Sequence, residues 1–230
     1  MTFRADGSLL LATVEGEVVR WNPGSSRRLS TDRFKEQPWK APLALSADGG
    51  SLACARADGN VAVWSSEGIL AGGPRSKIQA FAETYAPFTD RFDLSPDGRI
   101  LAVASGGTAK TWDLSAGRPL AAFETKTIRS LKLSSRMLAT GHLDGAIRLW
   151  DIESGSPKPL HRMLPNQVSV SAIAFSPDAE RLAVLHVDGS VRIWHIKDGT
   201  SRTVVPPAGA IVKSTALTPD GKGLAIADAD

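Results

Sequence analysis

Five times along this chain a tryptophan follows a glycine at the same distance: Gly16 and Trp21, Gly59 and Trp64, Gly107 and Trp112, Gly145 and Trp150, Gly189 and Trp194. The indoles stand 43, 48, 38 and 44 residues apart, and only Trp39 falls outside the scheme. A fixed offset recurring at such a period marks one supersecondary unit built again and again. The glycines close the pairs Glu15-Gly16, Asp58-Gly59, Gly106-Gly107, Asp144-Gly145 and Asp188-Gly189. Such pairs tolerate positive φ and suit two-residue hairpin turns.

Short apolar runs flank each turn, as Leu182-Ala183-Val184-Leu185 and Val191-Arg192-Ile193-Trp194 do in the fifth unit. Strand, tight turn and strand make a hairpin. A second turn precedes it, in Ala5-Asp6-Gly7, Ala47-Asp48-Gly49, Pro96-Asp97-Gly98, Pro177-Asp178-Ala179 and Pro219-Asp220-Gly221. The fourth unit has the shorter Ser134-Ser135-Arg136 instead. Another strand lies ahead of that turn, clearest in Ser171-Ala172-Ile173-Ala174-Phe175, and a fourth follows the tryptophan. Each unit is therefore a four-stranded antiparallel meander, too small to bury its faces alone. Stacking such units gives a β-propeller. The fold expected is all-β: one domain with blades near 1–35, 40–75, 88–124, 127–161 and 168–206, and half a sixth at 212–230.

Ile147-Arg148-Leu149-Trp150-Asp151 and Trp112-Asp113 make the chain resemble the WD-repeat family, over nearly its whole length. The resemblance implies a protein-interaction scaffold. The match is divergent and bacterial in style, with Ser65, His195 and Asn22 following three of the tryptophans. In the family a Gly-His pair opens each repeat, and its histidine joins a buried tetrad with a serine or threonine, the turn aspartate and the tryptophan. Here Thr140, Asp144 and Trp150 offer three of the four members in one blade, while Gly141-His142 sits inside a hairpin. Hydrophobic packing is accordingly expected to hold the blades, with fewer tetrad hydrogen bonds.

Asp48 precedes Asp58 by the same interval as Asp178 precedes Asp188, and that interval carries Asp220 to Asp230, the last residue. Phe3 likewise occupies the place of Phe175. The reading is of a truncated fragment and an incomplete ring whose edges invite self-association. The alternative is that its ends share one blade.

The 230 residues are 42% hydrophobic and 22% charged, which suits a globular protein with a sizeable core. A net charge of +3 comes from scattered cations, and Arg27-Arg28 reads as a solvated pair, so no nucleic-acid partner is expected. Cys54 is the only cysteine, no stretch is long and apolar enough to span a membrane, and the first residues lack a secretory pattern. A cytoplasmic protein with no membrane partner is the expectation.

No catalytic constellation stands out, and the chain is expected to be no enzyme, with neither cofactor nor metal. His142, His161, His186 and His195 show no ligand spacing, and His186 and His195 read as surface or turn residues. The recurrent aspartates read as turn formers. Candidate partner contacts are Lys110, Arg148 and Arg192, each two residues before a tryptophan, together with Trp39 and Tyr85. Snorkelling over the indole is the plainer account of the three cations. Tyr85 lies in a segment from Gly72 to Arg91 that reads either as a decorated loop or as an outer strand with a linker. A second function weighed is a sensor or gating propeller of a larger signalling protein or hydrolase.

Overall fold

The computed structural model describes residues 2–3, 9–12, 17–22, 27–33, 43–55, 60–65, 76–79, 91–152, 159–163, 168–204, 214–217 and 224–227. Side chains are described for 44–53, 61–65, 91–152 and 168–204. The first sheet holds β1 (Thr2–Phe3), β2 (Leu9–Ala12), β3 (Glu17–Asn22) and β4 (Arg27–Arg33). The second holds β5 (Leu43–Leu45), β6 (Ser51–Ala55), β7 (Asn60–Ser65) and β8 (Ser76–Gln79). The third holds β9 (Arg91–Leu94), β10 (Ile100–Ser105), β11 (Thr108–Asp113) and β12 (Arg118–Glu124). The fourth holds β13 (Ile128–Leu133), β14 (Met137–His142), β15 (Ile147–Asp151) and β16 (Pro159–Met163). The fifth holds β17 (Val170–Phe175), β18 (Arg181–His186), β19 (Val191–His195) and β20 (Ser201–Val204). A two-stranded sheet of β21 (Ser214–Leu217) and β22 (Leu224–Ala227) follows.

These are the five meanders and the half unit that the repeat implies. β8 falls past the expected end of the second blade and inside the Gly72–Arg91 segment, which therefore contains an outer strand. β16 likewise runs to Met163, beyond the boundary expected at residue 161. Trp21, Trp64, Trp150 and Trp194 pair across their hairpins with Leu9, Leu52, Leu138 and Leu182, so the indoles mark one position in equivalent sheets.

The chain divides into two compact units, Met1–Ser105 with Lys110–Leu120, and Gly106–Ala109 with Ala121–Asp230. In the first, Ala53, Val61 and Val63 of the second blade pack with Leu94, Leu101, Val103 and Trp112 of the third. In the second, Ala139, Ile147 and Leu149 of the fourth blade pack with Val170, Ile173, Leu182, Val184 and Trp194 of the fifth. The second strands β10 and β18 are covered on both faces and so read as nearly unbroken apolar runs, whereas outer strand β20 is mostly exposed. Burying one such leucine contributes roughly 1.5–3 kcal/mol.

A serine organises the turn before the hairpin in the second to fifth blades. Ser95 Oγ accepts the Ile100 N–H at 2.9 Å and donates to Asp97 at 2.6 Å, and Asp97 accepts the Arg99 N–H at 3.1 Å. Ser46 with Asp48 and Ser176 with Asp178 repeat the device. Ser134 does half of it alone, accepting the Met137 N–H at 3.0 Å, which is how the fourth blade manages with a shorter turn. Gly98 (φ 67°) is doubly required, because a Cβ there would lie 2.5 Å from Ser51 Oγ of the second blade. Ala179 takes the corresponding left-handed conformation (φ 56°) in the fifth blade, at a cost of about 1 kcal/mol.

Candidate interaction face

The third and fourth hairpins share one end of the sheets with the connection at residues 125–127, and the fifth hairpin meets the connection at Ser169. Three-residue loops, not the expected two-residue turns, close the fourth and fifth hairpins. His142 accepts the Gly145 N–H and donates its own to Ala146, and His186 does the same with Gly189 and Ser190. Gly145 (φ 78°) and Gly189 (φ 81°) take the left-handed position that ends such a loop. The third hairpin is shorter, and there Gly106 (φ 55°), not Gly107, is left-handed.

The longer loops lift Leu143 and Val187 into solvent, 56% and 61% exposed, the large apolar side chains that stand out among the described residues. Beside Leu143 the short third hairpin leaves a concavity lined by Gly107, Thr125, Lys126, Thr127, Leu143 and Asp144. Backbone hydrogen bonds fix its walls: Thr125 N–H to Gly107 O at 2.8 Å, Ile128 N–H to Gly106 O at 2.7 Å and Leu143 N–H to Thr127 O at 3.2 Å. Lys126 Nζ meets Asp144 Oδ2 at 3.1 Å across the rim. Burial pushes the Asp144 carboxyl up, but that ammonium and the Ala146 N–H outweigh it and hold the group below its ordinary value.

Behind the rim a chain of hydrogen bonds runs into the core. Trp150 Nε1–H donates to Thr140 Oγ1 at 2.9 Å, Thr140 Oγ1 lies 2.9 Å from His142 Nε2, and His142 Nδ1 lies 3.1 Å from Lys126 O. A carbonyl only accepts, so Nδ1 carries the proton and Nε2 accepts from the threonine hydroxyl. Trp150 Nε1, Thr140 Oγ1 and both ring nitrogens of His142 are thereby satisfied. Burial, reinforced by the nearby Arg148 cation, lowers the His142 pKa to about 4, so the ring is neutral near pH 7. Phe123 packs on the other side of Trp150, ring centroids 5.0 Å apart.

This revises the expectation drawn from the missing Gly-His pair. A histidine does join Thr140 and Trp150 in the fourth blade, from the end of β14, two residues beyond Thr140 on the same side of the strand. Asp144 is bound to Lys126 and the Ala146 N–H. His186, expected at the surface, is also buried, with Nδ1 2.9 Å from Val168 O. Val184 stands there in place of Thr140, and the Nε2 of His186 and Nε1 of Trp194 have no hydrogen-bond partner among the described residues. His195 is partly exposed, its Nδ1 3.3 Å from Asp198.

Arg148 is buried, and Arg192 lies over the Trp194 ring at 5.7 Å, so the cation lies against its indole as snorkelling requires. Lys110 is half-buried on β11. Trp39, Tyr85, Gly16 and Gly59 lie outside the described residues, as do the side chains of Trp21, Cys54 and His161. Among the described residues no three His, Cys, Asp or Glu side chains gather as a metal site. Sequence reasoning missed Leu143 and Val187, although each breaks a polar turn between a histidine and Asp-Gly.

The family model for the WD domain, G-beta repeat, matches residues 91–113, 117–151 and 157–195. Residues 91–195 thus carry matches to WD repeats. A guanine nucleotide-binding protein subunit beta of Oryza sativa subsp. indica is 21% identical over 185 residues, 75% of this chain and 48% of that protein. A WD repeat-containing protein 91 homolog of Dictyostelium discoideum is 28% identical over 195 residues, 78% of this chain and 24% of that protein. The chain thus spans half or less of these relatives. A chain in the crystal structure of a mitotic checkpoint complex superposes with a TM-score of 0.73 over 98% of this chain and 70% of its own length, at 19% identity, which shows a shared propeller fold. The Trp-Thr-His arrangement lies inside the second matched segment.

Proposed function

We propose that this WD-repeat chain is a non-catalytic interaction module that receives a protein or peptide partner on the hairpin face of its fourth and fifth blades. The observation that carries the reading is the pair Leu143 and Val187, held in solvent at equivalent positions on loops that backbone hydrogen bonds keep rigid. Exposed aliphatic side chains on a pre-organised scaffold bind with little ordering cost. A structural neighbour that comes from a mitotic checkpoint complex supports partners of the same broad kind. With one cysteine in the sequence, we place the module in a reducing compartment, the cytoplasm.

Cross-linking the intact protein in its native host, followed by mass spectrometry, tests this. The expected result is a partner linked through the 143–146 and 187–190 loops. Leu143→Asp with Val187→Asp should weaken that partner about 100-fold while leaving the melting temperature unchanged, because both apolar contacts are lost. Undiminished binding by the double variant defeats the assignment. The second reading, a sensor or gating propeller within a larger signalling protein or hydrolase, draws support from the longer relatives. A reading frame without another domain on either side counts against it.

A further inference from the structure

We propose that His142 is a proton-controlled latch on the connection at residues 125–127, so that acid opens the hairpin face of the fourth blade. The inference rests on that face being the docking face and adds its regulation. The latch is a matter of geometry. One edge of the ring holds the carbonyl of Lys126 at 3.1 Å, and the other is held by Thr140, which Trp150 holds in turn. The connection so fastened supplies Thr125, Lys126 and Thr127 to the concavity beside Leu143. It is also tied by the backbone hydrogen bonds of Thr125, Ile128 and Leu143 N–H, by the Lys126–Asp144 ion pair and, at its far end, by the buried Ile128 side chain.

Protonation attacks the inner edge. A proton added at Nε2 turns that nitrogen from acceptor to donor, pointed at the oxygen that already receives the Trp150 N–H. Thr140 must then turn its own hydroxyl proton away. The charged groups acting on the ring are Arg148 from β15, which opposes the new charge, and Asp144 from the hairpin, which favours it but already pairs with Lys126 from the connection. The proton therefore binds better once the ring has left its slot. In the fifth blade His186 holds Val168 O, but Val184 offers its inner edge no hydroxyl, so among the described residues the doubly fastened latch belongs to the fourth blade.

With an ordinary value of 6.5 and a folded value of about 4, the closed latch is at full strength above pH 6.5 and loses it as pH falls from 6.5 towards 4. Linkage then makes opening about 20-fold more frequent at pH 5 than at pH 7. Amide exchange followed by NMR on the whole chain, corrected for intrinsic rates, reads this directly. The Thr125, Ile128 and Leu143 amides should lose about 20-fold protection at pH 5, whereas the Ile152 amide, bonded to Arg136 O at the opposite end of the blade, should not. The His142 ring should titrate below pH 5, and the Trp150 indole N–H resonance should move with the same midpoint. His142→Gln should abolish the pH dependence; should that variant not fold, the wild-type ring titration decides.

A His142 midpoint near 6.5, or protection unchanged between pH 7 and pH 5, overturns the latch. Equal partner binding at the two pH values overturns it as a regulator. A chain that captures no partner yet opens in acid sinks the docking reading and upholds the latch.

Discussion

Thr140→Val is expected to lower the unfolding free energy by about 3 kcal/mol, although it removes a single hydroxyl and keeps the volume of the side chain. The hydroxyl joins two buried groups, accepting from Trp150 Nε1 and donating to His142 Nε2. Valine leaves both without a partner in a site closed to water, and an orphaned buried polar group costs about 1–3 kcal/mol. The fifth blade is that variant made by nature: Val184 occupies the matching register, opposite Arg192 as Thr140 is opposite Arg148, and Trp194 Nε1 and His186 Nε2 are left unpartnered. The reverse exchange, Val184→Thr, should therefore stabilise the protein by about 1 kcal/mol, the net worth of a buried hydrogen bond. Urea unfolding of both variants checks the pair. If Thr140→Val is neutral, the hydrogen-bonded chain contributes nothing to stability; if Val184→Thr destabilises, water already serves the two orphans.

The repeat was legible because its markers are local. A glycine that must be left-handed and an indole a fixed distance along the next strand report on one hairpin, wherever the hairpin sits. Gly145 with Trp150 and Gly189 with Trp194 both follow that rule. The part His142 plays was not legible from the family pattern, because the pattern seeks its histidine before the first strand. The signal lay in strand periodicity: Thr140 and His142, two residues apart, emerge on the same face of β14, the face on which Trp150 also lies. His186 repeats the spacing after Val184. Leu143 and Val187 were missed for the opposite reason. An apolar residue beside a turn reads as the end of a strand, and only loop length decides whether it points into the core or out to solvent. One residue fewer in the third hairpin removes the counterpart of Leu143 and leaves the concavity in its place.

Gly141→Ala is expected to cost about 3 kcal/mol, the upper end of what an overpacked core exacts. Gly141 needs no special backbone angle; what it lacks is room. A Cβ there would lie 2.4 Å from Val170 Cγ1, 2.8 Å from Val170 Cβ and 2.9 Å from Ile173 Cδ1, and both residues belong to β17 of the fifth blade. Val170 is fully buried and β-branched, so it has no alternative rotamer to retreat into, and relief requires the inner strand of the fifth blade to move away from the fourth. That movement would loosen the shared core of Ala139, Ile147, Leu149, Ile173 and Trp194. Val170→Ala removes the shortest of the three contacts, so in the double variant the two costs should fall short of their sum by about 1 kcal/mol or more, as expected for residues in direct contact. Strict additivity in thermal unfolding would mean that the two blades do not meet at this glycine, and the stacking of neighbouring sheets in the second unit would have to be redrawn.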